Sequence, residues 1–147
     1  MRWATARGVR TNRAATAWLI RRFVDTDAEI AVVEPSQVAA LQDEGVHGFD
    51  APGAEFPTAD AKGRTTFEQI AARYCFGDHA LREMGRIVGA AEHPWRLGET
   101  PESPGLRAIC HGFPVVTGSD EETLARTGIV FDAMYATLTA RMRSEPE

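Results

Sequence analysis

Hydrophobic positions change along the chain from short strand-like runs near the N-terminus to a helical pattern in the second half. The runs at residues 2–6 and 29–34 are typical of strands, and a third short extended segment is expected around residues 48–50. From residue 65 onward, apolar residues recur every three or four positions, which predicts helices. The pattern therefore predicts an α+β fold: a predominantly helical single domain with a small N-terminal β-sheet.

Capping residues indicate where the helices begin. Asn12 is the expected N-cap of a first helix that runs to about Val24. The N-caps expected for later helices are Thr65, Asp78 and Ser119. The helix after Ser119 is expected to be long and continuous, with one apolar stripe reaching Met142.

The composition is that of an ordinary globular protein, with 44% hydrophobic and 25% charged residues among 147. Residues 1–147 are therefore expected to form one domain, with a core at about 2–143 and a flexible tail at 144–147. No apolar stretch approaches a membrane span, and the N-terminus lacks the apolar region of a secretory signal. Cys75 and Cys110 have no paired spacing, which favours a reducing, cytoplasmic compartment.

Charge is distributed unevenly along the chain. The formal net charge is −5, yet the first 24 residues carry +6 and the remainder carries −11. The overall acidity excludes a generally basic nucleic-acid-binding protein. Arginine supplies all of the N-terminal positive charge, and its planar guanidinium suits bidentate binding of oxyanions and carboxylates.

The first predicted helix carries the most informative polar residues. Its apolar residues cover one arc, and the opposite arc carries Trp18, Arg21 and Arg22. A spacing of four places the Arg22 guanidinium over the Trp18 indole and pairs Arg21 with Asp25. Arg13 lies near the helix start, where free N–H groups attract anions. This face is either the wall of an anion pocket or a solvated, self-paired helix surface.

Five segments of the sequence carry a family resemblance that covers essentially the whole chain. WATARG, NRAATAWLIRRFVD, GFDAPGAEF, TTFEQI and FDAMYATL resemble, in this order, the chromate resistance family represented by the C-terminal domain of ChrB. The resemblance implies a role in bacterial chromate resistance and in the regulation of chromate-efflux operons. It also assigns DNA contact to a separate N-terminal portion of the full-length regulators. The chain looks like a stand-alone C-terminal type, so it is not expected to bind nucleic acid alone.

The chain departs from the family pattern at the positions that the resemblance marks as metal ligands. The acidic residue that the family carries before the arginine is Asn12 here. Thr58 and Thr65 stand near the positions of the family's loop histidine and cysteine. The family's Asp-Asp-His run is replaced by Ser119-Asp120-Glu121. An acidic position after RIV is retained as Glu92. The resemblance therefore implies that the metal ligands are largely lost, and no cofactor is predicted.

Two explanations of these replacements stay open. The chain has either kept the fold and lost a metal site, or it holds a divalent cation through an all-oxygen set of Asp60, Glu92, Asp120 and Glu121. Carboxylates at helix starts are also favoured by the helix dipole without any ligand. The four histidines show no metal-ligand spacing and are expected to be surface or satisfied side chains.

Three hypotheses for function follow, in order of preference. The first is a ligand- or oxyanion-responsive binding or regulatory domain whose pocket contains Arg13, Trp18, Arg21, Arg22 and Asp50. The second is an enzyme acting on a small molecule, with Asp50, Glu92 and Glu121 as candidate catalytic carboxylates. The third is direct DNA binding by the basic N-terminal segment. No nucleotide-binding or serine hydrolase motif is present, so a binding domain is preferred to an enzyme.

Overall fold

The computed structural model describes residues 1–144, and the fold has a three-stranded sheet followed by a helical second half. The elements are β1 (Arg2–Ala6), α1 (Thr11–Leu19), β2 (Glu29–Val33), α2 (Pro35–Leu41), β3 (His47–Phe49), α3 (Thr66–Tyr74), α4 (His79–Glu92), α5 (Ser103–Val116), α6 (Asp120–Arg126) and α7 (Gly128–Ser144). The flexible tail was expected at residues 144–147. Ser144 is the last residue of α7, so the first of these residues is helical, and residues 145–147 lie outside the described part of the chain. The predicted α+β, mostly helical fold class is confirmed.

The sheet is entirely parallel, with β1 at its centre and the strand order β2-β1-β3. Parallel neighbours require crossover connections, which α1 and α2 provide. β1 is buried on both faces: Trp3 packs in the main core, and Ala6 packs with Val38 of α2 in a second, smaller cluster. All three strands end at the same edge of the sheet, which we call the carboxyl edge. The three predicted strands are confirmed.

α1 lies at the centre of the domain and is in contact with α3, α4, α5, α6 and α7. It begins at Thr11 with Arg10 as its N-cap, so the expected N-cap at Asn12 is wrong. Asn12 instead lies buried in the first turn. The small side chains of Ala14 and Ala17 allow neighbouring elements to approach closely, and α1 is therefore buried on nearly all sides rather than along one arc.

After α1 the helix continues as a π-helical turn over Ile20–Val24. The backbone N–H of Asp25 donates to the carbonyl of Ile20 at 2.7 Å, five residues earlier. This wider turn changes the angular phase of the helix, so the expected Arg21–Asp25 ion pair is wrong. The Asp25 carboxylate instead accepts from the Trp3 indole at 3.3 Å and from the amino group of Met1 at 2.7 Å.

The predicted N-caps at Thr65, Asp78 and Ser119 are confirmed by side-chain bonds to backbone N–H groups. The long helix expected after Ser119 is in fact two helices, α6 and α7. The helix breaks at Thr127, and Gly128, the first residue of α7, lies close to the Trp18 indole of α1. None of the helices within residues 1–144 has the length and apolarity needed to cross a membrane.

Candidate functional site

A buried polar network lies at the carboxyl edge, centred on Asp50, which directly follows β3. Asp50 is only 4% exposed and has a positive φ of 51°, a conformation that aspartate tolerates better than most residues. Its carboxylate accepts from the Asn12 side-chain amide at 3.0 Å and from the Thr58 hydroxyl at 2.7 Å. These bonds hold α1 and the 51–64 loop against the end of β3.

Arg13 joins the ends of the two neighbouring strands. Its Nε and Nη2 donate to the Asp50 carbonyl at 3.2 and 2.9 Å, and Nε lies 3.4 Å from the Asp50 carboxylate. Its Nη1 donates to the carbonyls of Arg7 and Gly8, both at 3.3 Å. A planar guanidinium can serve all of these acceptors at once. Arg13 is therefore a structural clamp between the segments that follow β1 and β3.

A second clamp acts on the loop after β1, which we define as residues 7–10. The Asp120 carboxylate at the start of α6 accepts from the backbone N–H of Gly8 at 3.0 Å and of Val9 at 2.9 Å. Gly8 has a φ of +90°, where a side chain would be strained. The 7–10 loop is thus fixed from one side by Arg13 and from the other by Asp120.

Glu92, the last residue of α4, occupies the position where an anion was expected at the start of α1. Its carboxylate accepts from the Asn12 backbone N–H at 3.2 Å. Burial, and secondly the nearby Asp50 carboxylate, raise the pKa of Glu92 above its ordinary value. The protein's own carboxylate therefore binds this helix N-terminus, and an external ligand is not needed there.

This arrangement predicts different effects for two substitutions of Glu92. Glu92→Ala removes the bond to Asn12 and is expected to lower the free energy of unfolding by about 1 kcal/mol, as for other lost helix caps. Glu92→Gln keeps an acceptor and removes the buried charge. Because the folded pKa of Glu92 is raised, its stabilising contribution is complete below the ordinary pKa of 4.5 and is lost as the pH rises through the folded pKa.

The Gln variant lacks that loss, so its stability relative to the wild type is expected to increase as the pH rises from 4.5 to neutrality. Urea denaturation of both proteins at a series of pH values measures this difference. A difference that stays constant with pH would show that the carboxyl group of Glu92 is not desolvated.

The structure does not bring the predicted pocket residues together. Arg13 and Asp50 meet at the carboxyl edge, whereas Trp18 and Arg22 meet at a different carboxylate, Asp132 of α7. Arg13 and Arg21 are separated by eight residues, or about 12 Å along a helix axis. Trp18 is not on a free helix face: it is 5% exposed, and its indole donates to Asp132 of α7 at 2.8 Å. Arg22 pairs with the same Asp132 at 3.1 Å instead of covering the indole.

The carboxylates of the suggested all-oxygen cation site are also not brought together. Within residues 1–144, no group of three His, Cys, Asp or Glu side chains is placed to hold a metal ion. Asp60 pairs with Arg64 at 2.8 Å, Glu121 is exposed, and the other two members bind backbone N–H groups as described above. Of the two threonines at replaced positions, Thr58 joins the Asp50 network and Thr65 caps α3.

A cationic cluster that was not predicted from the sequence lies beside the 7–10 loop. We define it by Arg10, Arg107 and His111. Arg10 makes no ion pair in the described part of the chain, and Arg107 donates only to the carbonyls of Ala91 and Glu92, both at 2.9 Å. Burial and the positive charges of Arg107 and Arg10 lower the pKa of His111. Arg107 and His111 are four residues apart on α5, and this spacing was the one signal in the sequence.

Comparison with known proteins agrees with the resemblance found in the sequence. The chain matches the family described as the C-terminal domain of ChrB over residues 3–138. It belongs to this family. A curated relative, protein ChrB of Cupriavidus metallidurans, is 32% identical over 136 residues. The match covers 90% of this chain and 39% of the relative, so the chain spans about two fifths of that protein's length. No solved structure matches the chain.

The part shared with the ChrB C-terminal domain family contains the whole carboxyl-edge site. The Arg13 and Asp120 clamps, Glu92 and the cationic cluster all lie within residues 3–138. Within the described residues, three of the six arginines of the basic N-terminal segment are paired: Arg7 with Glu34, Arg22 with Asp132, and Arg13 with Asp50 and backbone carbonyls.

Proposed function

We propose that this chain is an oxyanion-responsive regulatory domain of a chromate resistance system, and that it binds a tetrahedral oxyanion at the cationic cluster of Arg10, Arg107 and His111. Membership of the ChrB C-terminal domain family supports the association with chromate resistance. The observation that supports the choice of site is that neither Arg10 nor Arg107 forms an ion pair within residues 1–144, although the Glu92 carboxylate attracts Arg107 from a longer distance. The positive charges of both arginines also lower the pKa of His111.

A dianion would relieve the mutual repulsion of these three groups. Guanidinium N–H groups form strong charge-assisted bonds to oxyanions, and arginine suits their geometry. A bound dianion would also favour the protonated form of His111 and gain a third donor from it. The site therefore suits chromate and its analogue sulfate better than a neutral ligand.

The two clamps would hold this site ready for the ligand. Arg10 ends the 7–10 loop, which Arg13 and Asp120 fix through bonds to the backbone on either side of Gly8. Arg107 is fixed to the end of α4 through the carbonyls of Ala91 and Glu92. Donors held in place by packing and hydrogen bonds lose little conformational entropy when a ligand binds.

Calorimetric titration with chromate, sulfate, molybdate and phosphate tests this proposal. Saturable binding is expected, and the affinity for sulfate, which stays a dianion, should rise as the pH falls below about 6.5 because His111 gains a proton. Arg10→Gln removes one charge-assisted contact and should weaken binding about ten- to hundredfold. The matched control is Arg2→Gln, an exposed arginine of the same basic segment at the opposite end of β1.

The control variant should bind each oxyanion as the wild type does. Absence of saturable binding at millimolar concentrations would reject the proposed function. Equal losses in the Arg10 and Arg2 variants would reject the site, because they would indicate only a general effect of net charge.

A further inference from the structure

A cavity of about 210 Å³ lies between α3 and α4. Its walls are mostly apolar and include Ala72, Cys75 and Leu81. A cavity of about 150 Å³ is enough to hold benzene, so this larger, half-open one has room for a ring system of about the size of naphthalene. At its mouth, Phe76 is 88% exposed, and an apolar ligand would cover part of this ring.

The acidic groups around the cavity already have partners. Asp78 accepts from the Leu81 backbone N–H at 2.9 Å with one carboxylate oxygen and from the Tyr135 hydroxyl at 2.8 Å with the other. Glu68 accepts from the N–H and the hydroxyl of Thr65, at 3.1 and 3.0 Å, in the capping box of α3. Both oxygens of Asp78 and one oxygen of Glu68 are therefore engaged in capping and packing.

The basic groups of the cavity retain unused donors. Arg82 is exposed and makes no ion pair within the described residues 1–144. Arg64 donates to Asp60 through its Nε at 2.8 Å, and its terminal nitrogens make no hydrogen bond to any described residue. The donors left free at the cavity are consequently guanidinium N–H groups, and the acceptor left free there among the described residues is the second carboxylate oxygen of Glu68.

We propose that this cavity binds a small aromatic carboxylate. The ring lies against Ala72, Cys75 and Leu81, and the carboxylate lies between the guanidinium groups of Arg64 and Arg82. The inference is independent of the oxyanion site, because an inorganic oxyanion has no apolar body to fill the cavity.

Cys75 provides a reporter inside the cavity. It is half-buried, whereas the other cysteine, Cys110, is fully buried. Burial, with a smaller effect of Asp78, raises the pKa of the Cys75 thiol, and burial raises that of Cys110 to about 11. Alkylation by N-ethylmaleimide should therefore modify Cys75 first, and Cys110 serves as the internal control.

The experiment measures the alkylation rate of Cys75 by mass spectrometry in the presence of 1-naphthoate, the uncharged 1-naphthalenemethanol, or sulfate. We expect naphthoate to protect Cys75 at least about fivefold, the alcohol to protect it less, and sulfate to have no effect. Arg82→Gln should weaken naphthoate binding about tenfold or more and leave binding of the alcohol unchanged. Arg126→Gln, an exposed arginine on α6, is the matched control.

Calorimetry of naphthoate binding provides a second readout that does not depend on the thiol. Failure of naphthoate both to protect Cys75 and to bind by calorimetry would overturn the proposal. Equal protection by naphthoate and the alcohol, unchanged in Arg82→Gln, would also overturn it, because the cavity would then select apolar bodies without regard to charge.

Discussion

Replacing Trp18 with alanine is expected to lower the free energy of unfolding by about 3–5 kcal/mol, the range for removing a large aromatic side chain from a core. The indole is 5% exposed and lies between α1 and α7, in contact with Phe23, Phe131 and Tyr135. The substitution also leaves the Asp132 carboxylate without its indole donor. Chemical denaturation of the purified variant measures the loss.

Trp95→Ala is the matched control, because Trp95 is 79% exposed and stacks only on His93 among the aromatic rings. Its removal should change stability by less than about 0.5 kcal/mol, as at other surface positions. Similar small losses of stability in both variants would contradict the packing of α1 against α7. They would indicate that Trp18 lies on an exposed helix face.

Arg13→Ala is expected to cost about 3 kcal/mol, because it removes the only cation paired with the buried Asp50 carboxylate within residues 1–144 and leaves three strand-end carbonyls without their guanidinium donor. Asn12 and Thr58 still donate to Asp50 in this variant. The Arg13 side chain is 24% exposed and the Asp50 side chain 6%, so solvent screens the pair only weakly. Denaturation by urea measures the change, and the oxyanion affinity should fall with it because the 7–10 loop is released.

Two further variants separate the shape of this side chain from its charge. Arg13→Lys keeps the charge but not the planar fork, so it should recover only part of the lost stability. Arg22→Ala removes an arginine that is 56% exposed and pairs with Asp132 on the surface, and it should cost less than about 1 kcal/mol. Full recovery by lysine would contradict the role of Arg13 as a clamp between carbonyls.

Local signals were sufficient to predict much of the fold. The three strands follow from short apolar runs bounded by Gly8 and Pro35, and the capping box of Thr65 and Glu68 places α3 correctly. These features depend on residues within one or two turns of each other. The break at Thr127 was not predicted, because the apolar stripe continues across it from Leu124 to Phe131.

The candidate site was harder to predict because its contacts join distant parts of the chain. Arg13 and Asp50 were both identified, yet the Glu92 bond to Asn12 and the Asp120 bond to Gly8 span 80 and 112 residues. Helical periodicity placed Trp18 on an outer face because it assumes a helix with one buried side. The central position of α1 and the π-helical turn after it both violate that assumption.

The oxyanion site is tested most directly by a crystal of this protein soaked with chromate and measured at the chromium absorption edge. The anomalous difference map should show one ordered chromium next to the guanidinium groups of Arg10 and Arg107, with an oxygen directed at His111, and the peak should be absent in Arg10→Gln crystals. A peak beside Arg21 and Arg22, or no ordered chromium at saturating chromate, would contradict the assignment of the site to the cationic cluster.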